Sequence, residues 1–218
     1  NMFGQPRGKF QFDQAFAEKQ IVLINLSKGK LGEDASRLLG MIFISMIQST
    51  LLRRADKPSS ERETVCVYLD EFQNFSTKTL LSMLAESRKF GLALTLANQY
   101  LTQVAPEIQD AVLGNVGSIL AFRTSYADAQ MLAPSLGLIE EDLTGLAPFQ
   151  AYAKLLHEQT PLPLFRMSIE KPIFHENPQL ENLKKCSFER FGRQVEQVEE
   201  KIAERYNKRC NIKRKILA

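Results

Sequence analysis

Two adjacent carboxylates, Asp70 and Glu71, end the apolar run "VCVYL" at residues 65–69, and the next apolar run, "LALTLAN" at residues 92–98, is followed by Gln99. Carboxylates at the end of a buried strand are costly to desolvate unless a cation or a reaction uses them. Hard cations prefer oxygen ligands, so Asp70 suits Mg²⁺, held through water. Glu71 is then placed to accept a proton from an attacking water, or to orient it. Gln99 is a donor and an acceptor at once, able to sense a terminal phosphate or to place that water. Each signal alone is weak, because apolar strands often pass into acidic residues as they enter a turn. Their joint appearance in this order, with one helix between them, points to nucleotide hydrolysis.

A phosphate grip would complete that chemistry. The pattern G-x-x-x-x-G-K-S/T cradles phosphates on backbone amides and a lysine. At Gly29–Lys30 it requires glycine at 24 and Ser or Thr at 31, where the chain has Ile24 and Leu31. At Gly8–Lys9 it requires glycine at 3 and Ser or Thr at 10, where the chain has Phe3 and Phe10. Neither is a P-loop. Lys28 and Lys30 remain candidates for meeting an anion at the start of a helix, or for a solvated turn.

The elements that must position these residues alternate. A strand is expected at Ile21–Leu26, followed by a helix capped by Asp34 and running to about Leu52, apolar on nearly all sides. The run at 64–69 is continuous, the pattern of a strand buried on both faces in a parallel sheet. Ser76 or Thr77 opens a helix that Gly91 closes, and the strand at 92–98 follows. Pro106 suits the first turn of another helix, "SILAFRTS" at 118–125 is a fourth strand, and Ser125 caps a helix containing Asp128. Such alternation predicts an α/β domain with a mainly parallel sheet flanked by helices. Beyond residue 148, "QAYAKLL" and "LPLFRMSI" flank "HEQTP" and read as a hairpin or an edge pair. From Asn177 and Pro178 a long helix is expected, with Leu180, Leu183, Phe188, Phe191, Val195, Val198, Ile202 and Tyr206 along one stripe.

Composition excludes several classes. The chain has 218 residues, 44% hydrophobic and 24% charged, which is ordinary for a globular domain. A net charge of +3 identifies neither a nucleic-acid nor a membrane partner. Three separated cysteines, Cys66, Cys186 and Cys210, fit no disulfide framework or paired zinc motif, so a reducing cytoplasm is expected. His157 and His175 give little material for a histidine-based site. The longest greasy stretch, "LLGMIFISMI", is short for a bilayer, so no transmembrane segment is expected.

The segment "VYLDEFQNFSTKTLLSMLAESRKFGLALTLANQYLTQV" resembles the second half of the motor core in the HerA–FtsK superfamily of P-loop ATPases. It is most similar to conjugative coupling proteins of type IV secretion systems. "LSKGKLGEDASRLLG" and "SFERFGRQVEQVEEKIAERY" extend the likeness over most of the chain. The resemblance implies a RecA-like fold, with Asp70 and Glu71 as the Walker B pair for Mg²⁺ and water, and Gln99 as γ-phosphate sensor. It also implies that Arg88, in "ESRKFG", is offered to a neighbouring subunit's ATP, where a guanidinium stabilises charge in phosphoryl transfer. A helix-end arginine facing solvent accounts for Arg88 equally. Arg123, in "AFRTSYADAQ", matches a recurring position at the nucleotide or subunit interface.

The implied organisation is a partial ATPase core over residues 1–147, a strand pair over 148–176 and a carboxyl-terminal helix over 177–218. The implied ligands are ATP and Mg²⁺. The implied partners are DNA, further copies in a hexamer, and a secretion or relaxosome component. The implied location is the cytoplasm, on the inner face of the bacterial membrane through other parts of a longer protein. Because the P-loop of such motors lies upstream of these motifs, the chain by itself is expected to hydrolyse ATP weakly or not at all. Two alternatives stand beside the motor: an oligomerising or partner-binding module with relic motor residues, and a nucleotide-binding protein without a DNA role; the basic end around Lys208, Arg209, Lys213, Arg214 and Lys215 is open to DNA phosphates or another subunit, or is a solvated helix terminus.

Overall fold

A computed structural model describes residues 9–56, 58, 61–173 and 177–216, with the side chains of 87, 88 and 208–216 outside that description. Helices α1 (Phe12–Ala17), α2 (Lys28–Leu31) and α3 (Glu33–Leu52) precede strand β1 (Val65–Leu69). Then come α4 (Lys78–Glu86), β2 (Leu92–Leu96), α5 (Pro106–Asn115), β3 (Ile119–Phe122), α6 (Tyr126–Leu136) and α7 (Glu140–Thr144). Strands β4 (Gln150–Lys154), β5 (Leu156–His157), β6 (Thr160–Pro161) and β7 (Phe165–Ser168) lead to helices α8 (Leu180–Phe191) and α9 (Val195–Ile216). Lys19–Pro172 form one compact unit, and the described parts of Asn1–Glu18 and Ile173–Ala218 form a second.

In the larger unit β1 and β2 pair in parallel, Val65 opposite Leu92 through Leu69 opposite Leu96. Thr77 Oγ1 accepts from the Leu80 amide at 3.4 Å to open α4. A 3-10 turn, Ser87–Phe90, then passes to Gly91 at φ 68° and into β2. A Cβ at Gly91 would lie 3.2 Å from the Glu63 carbonyl oxygen. Gly91→Ala is therefore expected to cost about 1–2 kcal/mol, the penalty of a left-handed alanine. The urea midpoint of the purified chain checks it.

The sheet is less parallel than the alternation predicts. Strands β3, β4 and β7 form a separate antiparallel sheet in that order, with the small β5–β6 hairpin between β4 and β7. Glu158 and Gln159 turn that hairpin with φ of 46° and 67°, the pairing a two-residue turn favours. So short a connection forces β4 and β7 antiparallel, and the expected strand pair is there, extending β3. The result is a mixed α/β fold with one two-stranded parallel sheet.

Several local expectations are corrected. Ile21–Leu26 forms no strand, and Ile21 and Leu23 are 92% and 89% exposed. Its flanks are tied down: Lys19 meets Glu63 at 2.8 Å, and Ser36 Oγ donates to the Leu26 carbonyl at 2.5 Å. The hydrogen bond Lys19 donates to Glu63, and then the Glu63 charge, raise the Lys19 pKa above the ordinary lysine value. Strand β1 is half-buried on one face only, leaving Cys66 exposed and Tyr68 75% exposed, because no described element covers the other face.

Helix α3 likewise buries Leu39, Ile44, Ile47 and Leu51 but exposes Leu38, Met46 and Leu52. It starts at Glu33 after Gly32, so Asp34 lies inside the first turn rather than capping it. Length and composition alone would let Glu33–Asp56 cross a membrane, a longer stretch than the ten apolar residues suggested; 33% of its most apolar 18-residue window is buried within the structure.

Two cores hold the larger unit. One gathers Phe72, Leu80, Leu101, Val104, Ile108 and Val112 beneath the inner faces of β1 and β2. The other gathers Ala121, Ala129, Ala133, Leu136, Leu143 and Leu146 around β3 and α6, and Leu132 touches both. In the smaller unit the expected single helix is broken into α8 and α9 at Gly192, whose amide donates to the Phe188 carbonyl at 2.7 Å. A Cβ there would sit 2.4 Å from the Phe188 ring, so the bend requires glycine. Phe10 packs edge-on against Phe12 and Phe191 at 5.0 and 5.5 Å, while Leu180, Leu183, Phe188, Val195 and Tyr206 of the expected stripe are exposed. Cys186 is exposed, and His175 and the side chains of Lys208, Arg209, Cys210, Lys213, Arg214 and Lys215 lie outside the described residues.

Candidate nucleotide site at the strand ends

Backbone hydrogen bonds carry the β1–β2 ladder past both strands. The Ala97 amide donates to the Leu69 carbonyl at 2.9 Å, and the Phe72 amide donates to the Ala97 carbonyl at 3.1 Å. The Asp70–Glu71 turn is therefore laced to the residue two before Gln99. Phe72, 1% exposed, plugs the turn into the core below. Apolar strand residues supply the rigid base, and the short polar turn has nowhere to go but outward.

Glu71 has a left-handed backbone, φ 51° and ψ 47°. For a residue with a Cβ this conformation costs about 1–2 kcal/mol, and such strain gathers at working sites. The surroundings hold it. The Asn74 amide and its Nδ2 both donate to the Glu71 carbonyl at 3.0 Å, and the Glu71 amide donates to Asp70 Oδ1 at 3.1 Å. Gln73 Nε2 donates to Glu71 Oε2 at 2.5 Å and to Gln103 Oε1 at 3.3 Å. Glu71 is half-buried and Asp70 exposed, so one carboxylate is oriented by neighbours while the other faces solvent.

Gln99 is exposed in the bend after β2, and Arg123 is exposed immediately after β3. Asp70, Glu71 and Gln99 are thus brought together by the two paired strands. Arg123 stands at the end of the antiparallel sheet. Arg88 falls in the Ser87–Phe90 turn, before β2 rather than after it, with its side chain outside the described residues.

The sequence reading missed the residues that join these loops. Gln73 and Gln103 bridge the turns after β1 and β2. Asp128, buried at 1% exposure, bridges those after β2 and β3: its Oδ1 accepts from the Thr102 amide at 2.8 Å, and its Oδ2 from Ser125 Oγ at 3.1 Å and Thr124 Oγ1 at 3.3 Å. The spacing Ser125-x-x-Asp128 carried a helix-start signal, and Ser125 Oγ does accept from the Asp128 amide at 3.2 Å. Nothing in the sequence announced the reach to Thr102.

No group of three or more His, Cys, Asp or Glu residues able to hold a metal occurs among the described residues. That donor set is still compatible with Mg²⁺, which keeps its waters and binds through one or two carboxylates and a substrate's phosphates rather than in an all-protein cage. Asp70 fits that role by exposure and position. Lys28 pairs with Glu33 at 3.3 Å, and Lys30 is exposed on the same four-residue α2.

No protein-family model matches the sequence, and no curated protein does. Solved structures do. The unbound bacterial conjugative coupling protein TrwB matches with a TM-score of 0.55 at 15% identity, over 67% of this chain. This chain shares its fold with part of that protein. Two further TrwB structures share it, one with a non-hydrolysable GTP analogue (TM-score 0.50, 18% identity) and one with ADP and Mg²⁺ (TM-score 0.51, 17% identity), each over 67% of this chain. The chain spans 40% of the length of each TrwB structure it matches. The likeness to TrwB is therefore one of fold, over part of that protein.

Proposed function

We propose that this chain is the Walker B-bearing part of a DNA-translocating motor of the conjugative coupling type, which hydrolyses Mg-ATP at the interfaces of a ring of subunits. The observation that carries the reading is the Asp70–Glu71 turn, laced by backbone hydrogen bonds to the strand end that presents Gln99, within a coupling-protein fold. Asp70 would hold Mg²⁺ through water, and the ion would offset charge on the phosphates. Glu71, oriented by Gln73, takes the proton of the attacking water. Gln99 contacts the terminal phosphate, Arg123 the nucleotide or the neighbouring subunit, and Arg88 the neighbour's nucleotide. The TrwB complexes with a GTP analogue and with ADP and Mg²⁺ support a nucleotide at this fold.

DNA, a hexameric ring, a secretion or relaxosome partner and a place at the cytoplasmic face of the membrane belong to the same reading. The sequence contains no G-x-x-x-x-G-K-S/T, and in this reading the phosphate grip belongs to another part of the motor. Turnover of Mg-ATP is the test, on this chain alone and on a longer motor that includes a phosphate-binding loop. We expect the chain alone to be nearly silent and the longer motor to turn over ATP with DNA stimulation. Turnover by the longer motor that ignores both Asp70 and Glu71 would overturn the reading.

A further inference from the structure

Asp128 is the one polar side chain among the described residues that is both almost wholly buried and bonded to two separate loops at the strand ends. It sits in the first turn of α6, yet its Oδ1 leaves that helix to accept the Thr102 amide at 2.8 Å. Thr102 belongs to the 3-10 turn Leu101–Gln103, three residues beyond Gln99. Its Oδ2 accepts from Thr124 and Ser125, the residues directly after Arg123. The same 3-10 turn ends at Gln103, whose Oε1 accepts from Gln73 Nε2, and that Nε2 also holds Glu71. Hydrogen bonds thus run from the Glu71 carboxylate through Gln73 to Gln103, and, across the covalent step to its chain neighbour Thr102, on through Asp128 to the loop of Arg123.

We infer that Asp128 is a positioning residue that locks the Gln99 loop to the Arg123 loop, so that the ends of β2 and β3 move as one piece. The inference rests on the proposed motor only for its effect on turnover; the lock itself is a property of this chain. Three hydrogen bonds to a buried carboxylate are strong ones, and losing the carboxylate leaves the Thr102 amide without its protein acceptor. The alternative, that Asp128 merely starts α6, needs only the Ser125 contacts and leaves the Thr102 bond unused.

Hydrogen exchange on the chain as it stands tests the lock, and turnover by the longer motor tests its use. Asp128→Ala is expected to speed exchange at the Thr102 amide about tenfold or more, with Leu94, Leu96 and Ala121 of the strands unchanged. Asp128→Asn, which keeps one acceptor oxygen, is expected to fall between Ala and wild type, and it decides the matter if Asp128→Ala does not fold. In the motor, Asp128→Ala is expected to lower kcat with KM little changed, and Asp128→Asn to restore most of it; a helix start alone would not split kcat from KM in this way. Unchanged Thr102 exchange in the folded variants, or a rise shared equally by the strand amides, overturns the lock. A motor without wild-type turnover fails the functional reading while the exchange result still stands or falls by itself. A working motor in which the lock is broken but kcat holds overturns the positioning role.

Discussion

Glu71→Gln is expected to lower turnover by the longer motor about 10²- to 10⁴-fold, the usual worth of a positioned general base, with Mg-nucleotide affinity within a few-fold of wild type. Glutamine has the size of glutamate and keeps an oxygen to accept from Gln73 Nε2, now 2.5 Å from Oε2, so the turn should persist. What it loses is the capacity to take the water's proton. Asp70 remains to serve the metal, which is why binding and turnover should separate. Steady-state rates beside equilibrium nucleotide binding make the measurement. Loss of binding together with rate would reassign Glu71 to the metal or the fold, and an unchanged rate would remove it from the chemistry.

The second large effect is on stability. Phe72 is among the largest fully buried side chains and follows Glu71 directly, in the core shared with Leu80, Leu101 and Val104. Phe72→Ala is expected to cost about 3–5 kcal/mol, the removed transfer energy plus the cavity left behind. A whole domain is commonly stable by only about 5–15 kcal/mol, so the urea midpoint should fall steeply. The amide of residue 72 still donates to Ala97, so the turn is not released by backbone alone. A small shift in midpoint would mean that the core closes over the gap.

The strand positions were legible because apolar runs with turn residues at their ends mark them: β1, β2 and β3 fall inside the runs read from the sequence. Thr77, Gly91 and Ser125 announced helix ends through short-range chemistry, and the structure uses all three. What could not be read is what depends on partners distant in sequence. A run such as 65–69 looks the same whether one face or two are covered, so the exposure of Tyr68 was hidden. Ile21–Leu26 has the composition of a strand, but a strand also needs a neighbour to bond. At the site, Asp70, Glu71 and Gln99 were visible as residue types at strand ends. Gln73, Gln103 and Asp128 were not, because their contacts to Gln103 and Thr102 span 30 and 26 residues.

The left-handed turn at Glu71 also bears on how this protein can be engineered. Glycine and asparagine take that backbone shape with less strain than glutamate. A redesign scored only on thermal robustness would therefore favour replacing Glu71, and the most heat-resistant variants selected that way would discard the proposed base first. Any stabilisation campaign on this chain should hold position 71 constant and seek its gains elsewhere.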